Sequence, residues 1–293
     1  VGGGRGAARG GGRLTRVLIA GCGNVGTALG LRLAAAGHRV LGLRRDPSGL
    51  PAPITPIAAD LGDPASLAAV PADVDALVYA AAADRRDDDA YRRAYVDGLR
   101  HVLARLRDAG APLRRLVYVS STAVYAQDDG GWVDESSPTE PTHFTGRRLL
   151  EGEQLALAAG VAGTVLRLAG IYGPGRTRLV DEVRAGTAEV AAGTPVWTNR
   201  IHRDDCAGAI AHLLALPAPA PVWLGVDHEP AERGVVLDWL ADRLGVARPR
   251  RVADAPRGRG GNKRCDGGRL RASGYLFRYP TFREGYAALL AAR

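Results

Sequence analysis

The chain has no methionine, a single lysine (Lys263) and only three cysteines in 293 residues. Cys22, Cys206 and Cys265 are odd in number and far apart, which argues against a disulfide framework and against a zinc site, and fits a reducing, cytoplasmic setting. Long apolar runs are missing too. No stretch approaches the roughly 18 to 20 residues that a membrane-spanning helix requires, so a soluble protein with no membrane partner is expected. Residues 1–13 carry Gly and Arg but lack the apolar core of a secretion signal, and they read as a disordered leader.

The formal net charge of +8 suggests nucleic acid at first sight. The basic side chains are nearly all Arg, however, and they are scattered instead of lining a stripe that could track phosphates, so no nucleic-acid partner is expected. Excess Arg, Ala and Gly beside scarce Lys, Met and Asn fits GC-rich coding, which accounts for the charge without a polyanion. A hydrophobic content of 46% with 24% charged residues suits one sizeable core, or a nucleotide-binding domain carrying a smaller lobe.

From Arg16 onward, short apolar runs alternate with helical stretches, the pattern of a parallel sheet with crossover helices. Strands are expected at 17–20, 39–43, 56–59, 76–80, 115–119, 163–168 and 222–225. Helices are expected at 24–36, 84–109, 146–159, 204–216, 234–244 and 282–292. Val25, Leu29, Leu33 and Ala36 share one face of the first helix, and Gly37 ends it. Asp204 reads as a helix N-cap. The Gly/Arg-rich segment 252–266 reads as a mobile connection.

Gly21-Cys22-Gly23-Asn24-Val25-Gly26 is a GxGxxG run set between the first strand and its helix, where glycines allow a tight turn and close approach of a pyrophosphate. The second strand ends in Arg44-Arg45, where an NAD-preferring site usually carries Asp or Glu. A guanidinium suits a 2′-phosphate and cannot accept a hydrogen bond from a ribose hydroxyl, so the cofactor expected is NADP, with NAD as the alternative.

The run 117–125, VYVSSTAVY, resembles the fifth-strand motif of extended short-chain dehydrogenases/reductases, and RLAGIYGPGR at 167–176, IHRDDCA at 201–207 and Asp60-Leu61 resemble the same family in the same order. The stretch 263–286 looks like the end of atypical members grouped as NAD(P)-dependent epimerase/dehydratase-like proteins. The resemblance implies an α/β fold: a Rossmann-type doubly wound parallel sheet on residues 14–168, and a smaller C-terminal substrate lobe on 169–293, with 204–225 returning to the first domain. It places Gly21, Gly23, Asn24, Val25 and Gly26 at the pyrophosphate, Asp60 and Leu61 by the adenine, Ala80, Ala81 and Ala82 along the cofactor, and Ser121 as the site hydroxyl. It also implies a homodimer through helices starting near Asp88 and Gly146.

The family's catalytic Tyr and Lys, counted back from Glu153-Gln154, fall on Thr145 and Leu149. A threonine hydroxyl is too weak an acid for the task, and leucine can neither lower a pKa nor hold a ribose. Tyr125, His143 or the Arg147-Arg148 pair could stand in, none at the family spacing. Tyr172 and Arg176 could face a small-molecule substrate beside the turn glycines. Two functions remain open from sequence. One is an NADP-dependent oxidoreductase or epimerase/dehydratase-like enzyme acting on a polar carbonyl or sugar-like substrate; the other is a non-catalytic NADP(H) redox sensor, which needs no Tyr-Lys pair.

Overall fold

The computed structural model describes residues 15–193, 195–253, 255 and 260–292; the leader expected at 1–13 lies outside them. The first strand, β1 (Arg16–Ala20), is buried at every position after Arg16, as a central parallel strand covered on both faces must be. Its helix α1 (Asn24–Ala35) turns Val25, Leu29 and Leu33 onto the sheet. There follow β2 (Arg39–Arg44), β3 (Thr55–Ala58) and β4 (Ala76–Tyr79). The helix expected over 84–109 begins only at Asp88, because the Asp87 side chain accepts from the Ala90 amide and caps it. It runs as α2 (Asp88–Arg92), a π turn over Arg93–Asp97, and α3 (Gly98–Asp108).

The π turn has a visible cause. Tyr79 of β4 and Tyr118 of the fifth strand stack with ring centroids 5.8 Å apart, and their hydroxyls donate to the carbonyls of Ala94 at 2.6 Å and Tyr95 at 3.1 Å. Two phenols thus satisfy carbonyls inside the segment where the helix shifts register.

Beyond it come β5 (Arg115–Ser121), β6 (Trp132–Val133), α4 (Phe144–Leu157), β7 (Ala162–Leu168), β8 (Gly170–Tyr172), α5 (Arg178–Arg184), β9 (Glu189–Ala191), β10 (Trp197–Thr198) and β11 (Arg200–His202). The chain ends through α6 (Arg203–Ala215), β12 (Val222–Gly225), β13 (Ala231–Glu232), α7 (Arg233–Leu244), β14 (Arg250–Val252), β15 (Arg264–Cys265), α8 (Gly268–Ala272) and α9 (Phe282–Ala291).

Seven strands form one parallel sheet in the order β12-β7-β5-β4-β1-β2-β3. The chain winds outward from β1 to β3 and then resumes on the other side at β4, so the strand order reverses between β1 and β4. That reversal opens a crevice above the carboxyl ends of the strands. Val17 and Ile19 of β1 pack into the core shared with α1 and α6, whereas Leu18 and Ala20 pack toward α3, the period of two expected of a strand. A separate core of Tyr172, Val180, Val236, Leu240, Phe282 and Tyr286 builds the smaller lobe from α5, α7 and α9.

One expectation is corrected here. The cap of α6 is His202, whose Nδ1 accepts from the Asp204 amide at 3.1 Å; Asp204 sits inside the first turn, paired with Arg203. Of the segment 252–266, read as a mobile connection, the ends are paired, β14 with β9 and β15 with β6, and residues 254 and 256–259 lie outside the described residues. Among the described residues no helix is long and apolar enough to cross a membrane.

Candidate functional site

The crevice begins at the glycine turn. Gly21 has φ +87, and its amide and that of Cys22 both donate to the Leu43 carbonyl. A side chain on Gly21 would collide with the backbone of Ala81, so the turn after β1 and the chain after β4 touch only because this residue is glycine. Nothing lies within 4 Å of where a Gly23 Cβ would stand, which leaves an open face beside the start of α1. A Cβ on Gly26 would stand only 3.0 Å from the Ile19 side chain and 3.1 Å from the Gly21 carbonyl, so its absence lets α1 seat closely on β1. No side chain caps α1 and no acid occupies its first turn, so its free amides and positive end face that open space. The residues fit a dinucleotide: turn, open face and uncapped helix are the parts a pyrophosphate needs.

Arg44 is exposed at the carboxyl end of β2, and close enough to the turn to act on the Cys22 thiol through space. Arg45 is engaged by Asp84 at 3.1 Å. Arg44 has no ion-pair partner among the described residues. Asp60 is exposed, with its carboxylate on the Gly62 amide at 2.8 Å; the Leu61 carbonyl meets His101 Nδ1 at 2.9 Å. Ala80, Ala81 and Ala82 continue from β4 past Gly21, partly exposed.

Ser121 ends β5, half-buried, with its Oγ accepting from the Ala123 amide at 3.2 Å. Tyr125 does not join it. Its hydroxyl donates to the Asp134 carbonyl at 2.7 Å and accepts from Arg167 at 2.8 Å, and burial lifts its pKa to about 12. Behind Ser121 lies a buried ionic network: Arg167 reaches Glu153 at 2.7, 3.0 and 3.2 Å, and Ser120 donates to Glu153 at 2.5 Å. His143 is exposed at the N-cap of α4 with no capping bond from its side chain. Arg148 is spent on Asp88 and Glu151, and Arg147 on the Thr142 carbonyl. Thr145 stands in the first turn of α4, whereas Leu149, 4% exposed, belongs to an apolar cluster with Val124 and Tyr125.

Tyr172 and Arg176 part company. Tyr172 is buried in the smaller lobe between His202 and Tyr286, its hydroxyl without a hydrogen-bond partner among the described residues, and burial raises its pKa. Arg176 is exposed on the 173–176 loop. Asn24 Nδ2 donates to the Pro174 carbonyl at 2.9 Å, holding that loop over the start of α1. Tyr95, on the π turn, is half-buried, with its ring on Tyr91 at 5.1 Å and its carbonyl accepting from Tyr118.

A doubly wound sheet whose switch point carries an open glycine turn and an uncapped helix defines a nicotinamide-dinucleotide enzyme fold. The sequence pattern of the NAD dependent epimerase/dehydratase family matches residues 17–222, and the chain belongs to that family of NAD(P)-dependent enzymes. It is 30% identical to Protein YeeZ of Escherichia coli (strain K12) over 91% of this chain and 97% of that protein. It is 35% identical to the 3-diazoavenalumate denitrifying reductase of a Streptomyces species, over 83% of this chain and 86% of that protein. A solved structure from Methylobacillus flagellatus, described as a candidate NAD-dependent epimerase/dehydratase, superposes with a TM-score of 0.78 at 41% identity, covering 95% of this chain and 98% of that one.

Proposed function

We propose that this chain is an NADP(H)-dependent oxidoreductase acting on a polar carbonyl or sugar-like substrate bound between the sheet and the smaller lobe. The observation that carries this reading is Arg44, an exposed guanidinium with no salt bridge among the described residues, standing at the end of β2 beside the open turn. It offers a 2′-phosphate charge-assisted hydrogen bonds and offers a ribose hydroxyl no acceptor.

In this reading residues 14–168, with 204–225, hold the cofactor. The amides of Gly23, Asn24, Val25 and Gly26 meet the pyrophosphate, with Gly21 shaping the turn; Asp60 and Leu61 flank the adenine, Ala80 to Ala82 flank the nicotinamide half, and Arg45 supports Arg44. Residues 169–293 supply the substrate lobe, where Arg176 faces a polar group. When bound, the cofactor exchanges a hydride with substrate carbon. Ser121 donates a hydrogen bond to the reacting oxygen and orients it. The relative from Streptomyces is named a reductase, which supports reduction over epimerisation. Three buried free thiols suit a reducing cytoplasm. Helices α2 and α4, side by side on one face of the sheet, form the surface for a homodimer; a monomeric mass by light scattering would exclude it.

The test is calorimetric titration of wild type and Arg44→Asp with NADPH and NADH, then a carbonyl and sugar-nucleotide panel followed by cofactor oxidation. Loss of a charge-assisted phosphate contact, about 1.5 to 3 kcal/mol, lowers NADPH affinity about 10- to 150-fold and leaves NADH nearly unchanged. Unchanged selectivity removes Arg44 from the site. Tight NADPH binding with no turnover on any substrate supports a redox sensor instead, and no binding of either cofactor refutes the reading.

A further inference from the structure

The sheet is also open at the end opposite the crevice. At the amino edge of its centre, the register sets Val17 of β1, Ala76 of β4 and Arg115 of β5 side by side. Helices α1 and α6 cover this face and stop at Ala35 and Ala215. There the side chains between helix and sheet become small: Ala76 on the strand, Ala211 and Ala215 one turn apart on α6. Methyl groups leave unfilled the space that larger side chains close elsewhere in the core. The result is a cavity of about 240 Å³ lined by Val17, Leu33 and Ala76, with Ala211 and Leu214 on the helix side. It lies the length of α1 away from the glycine turn, 12 residues or ~18 Å.

Charge at the rim is already balanced. Asp75 accepts from the Arg16 amide at 3.0 Å and lies 3.7 Å from the Arg114 guanidinium. Arg115 donates to the carbonyls of Leu216 and Pro217 at 2.8 and 2.6 Å, where the negative end of α6 absorbs its charge. An ionised ligand would therefore give up its hydration in an apolar cavity without meeting an uncommitted counter-charge. A polar group on a neutral ligand does find a partner. His38, just beyond α1, lines the cavity, and its Nδ1 is buried with no hydrogen-bond partner among the described residues. A hydroxyl both donates and accepts, so it completes this nitrogen in either tautomer. Size points to a ring: a cavity of about 150 Å³ lined by apolar side chains holds one benzene, and this one leaves room for a substituent. A rigid ring also fills the space at a smaller entropic cost than a flexible chain of equal volume.

We propose that this cavity is a binding site for a small neutral aromatic alcohol, with the ring against Val17, Leu33 and Leu214 and the hydroxyl on His38. The site is separate from the dinucleotide crevice and does not depend on the oxidoreductase reading. A ligand here and a dinucleotide at the glycine turn stand at opposite ends of α1, so the two bind at once.

The test is calorimetric titration of the full chain with phenol, and with benzoate and benzylamine as the ring-matched anion and cation, each with and without NADPH. Phenol is expected to bind with a Kd of about 0.1 to 1 mM. Benzoate and benzylamine bind about 10-fold more weakly or worse, because each carries a charge into the cavity. NADPH leaves the phenol affinity unchanged. Ala215→Trp, at an exposed position on the mouth, plugs the cavity and lowers phenol affinity about 10-fold or more while Tm and NADPH affinity hold. His38→Leu lowers phenol affinity about 2- to 10-fold and leaves toluene binding as it was. The absence of saturable phenol binding at millimolar concentration overturns the proposal, and equal binding of benzoate or benzylamine overturns the neutral class. Competition between phenol and NADPH, or phenol affinity untouched by Ala215→Trp, puts phenol elsewhere and overturns the site. Because Ala215 is exposed, that variant decides the matter even if His38→Leu fails to fold. A chain that binds phenol in this pattern but binds no dinucleotide refutes the oxidoreductase reading and leaves this site standing.

Discussion

Glu153→Leu probes the buried network behind Ser121. Glu153 is 2% exposed and Arg167 5%, and the carboxylate receives three contacts from the guanidinium at 2.7 to 3.2 Å and one from Ser120 at 2.5 Å. Removing the carboxylate leaves Arg167 with Tyr125 Oη at 2.8 Å as its remaining hydrogen-bond partner among the described residues. An uncompensated buried charge costs about 3 to 5 kcal/mol. With a urea slope of about 3 kcal/mol/M for a chain of this size, the unfolding midpoint falls by about 1 to 1.7 M. The double variant Glu153→Leu/Arg167→Met removes both charges, and most of the lost stability returns, because the pair's mutual attraction largely repaid its own desolvation. Equilibrium urea unfolding followed by circular dichroism measures all four corners of the cycle. A loss below about 1 kcal/mol in the single variant, or a double variant as unstable as the single, refutes this account of the network.

Two other predictions concern groups outside the cleft. Burial raises the pKa of Asp227 to about 7, against the pull of Arg200, so its contribution to stability is full below about pH 4 and is lost as pH rises through 7. His202, held neutral by burial with a pKa of about 4, acts in the opposite sense: its contribution is lost as pH falls from about 6.5 through 4. Asp227→Asn removes only the first effect, so its Tm relative to wild type climbs from pH 4 to 7 in a thermal melt series; a constant difference contradicts the assignment. Tyr79→Phe strips the Ala94 carbonyl of its phenol donor, which costs about 1 to 3 kcal/mol and speeds amide hydrogen exchange in the π turn ahead of the flanking helices. Uniform exchange along the whole helix would show that the phenol does not brace the turn.

The sheet was legible because its strands are near-continuous apolar runs between turn residues, and the glycine motif was legible because it falls between one such run and a helix. What escaped depended on partners remote in sequence. The break in the helix expected over 84–109 is made by hydroxyls 15 and 23 residues from the carbonyls they bond. Tyr125 looked available for proton transfer until Arg167, 42 residues later, was found on its hydroxyl. Strands of two or three residues such as β14 and β15 are too short to show a period, so their segment read as loose chain. His202 caps α6 in place of Asp204 because its imidazole nitrogen, two residues earlier, accepts from the Asp204 amide itself, which puts Asp204 inside the first turn.

The Asn24–Pro174 hydrogen bond stitches the start of α1 to the loop that follows β8. A ligand that stills one side of this stitch lowers the entropic cost of ordering the other. In the oxidoreductase reading, thermodynamic reciprocity fixes the outcome: the factor by which a bound dinucleotide tightens the hold on substrate equals the factor by which substrate tightens the hold on the dinucleotide.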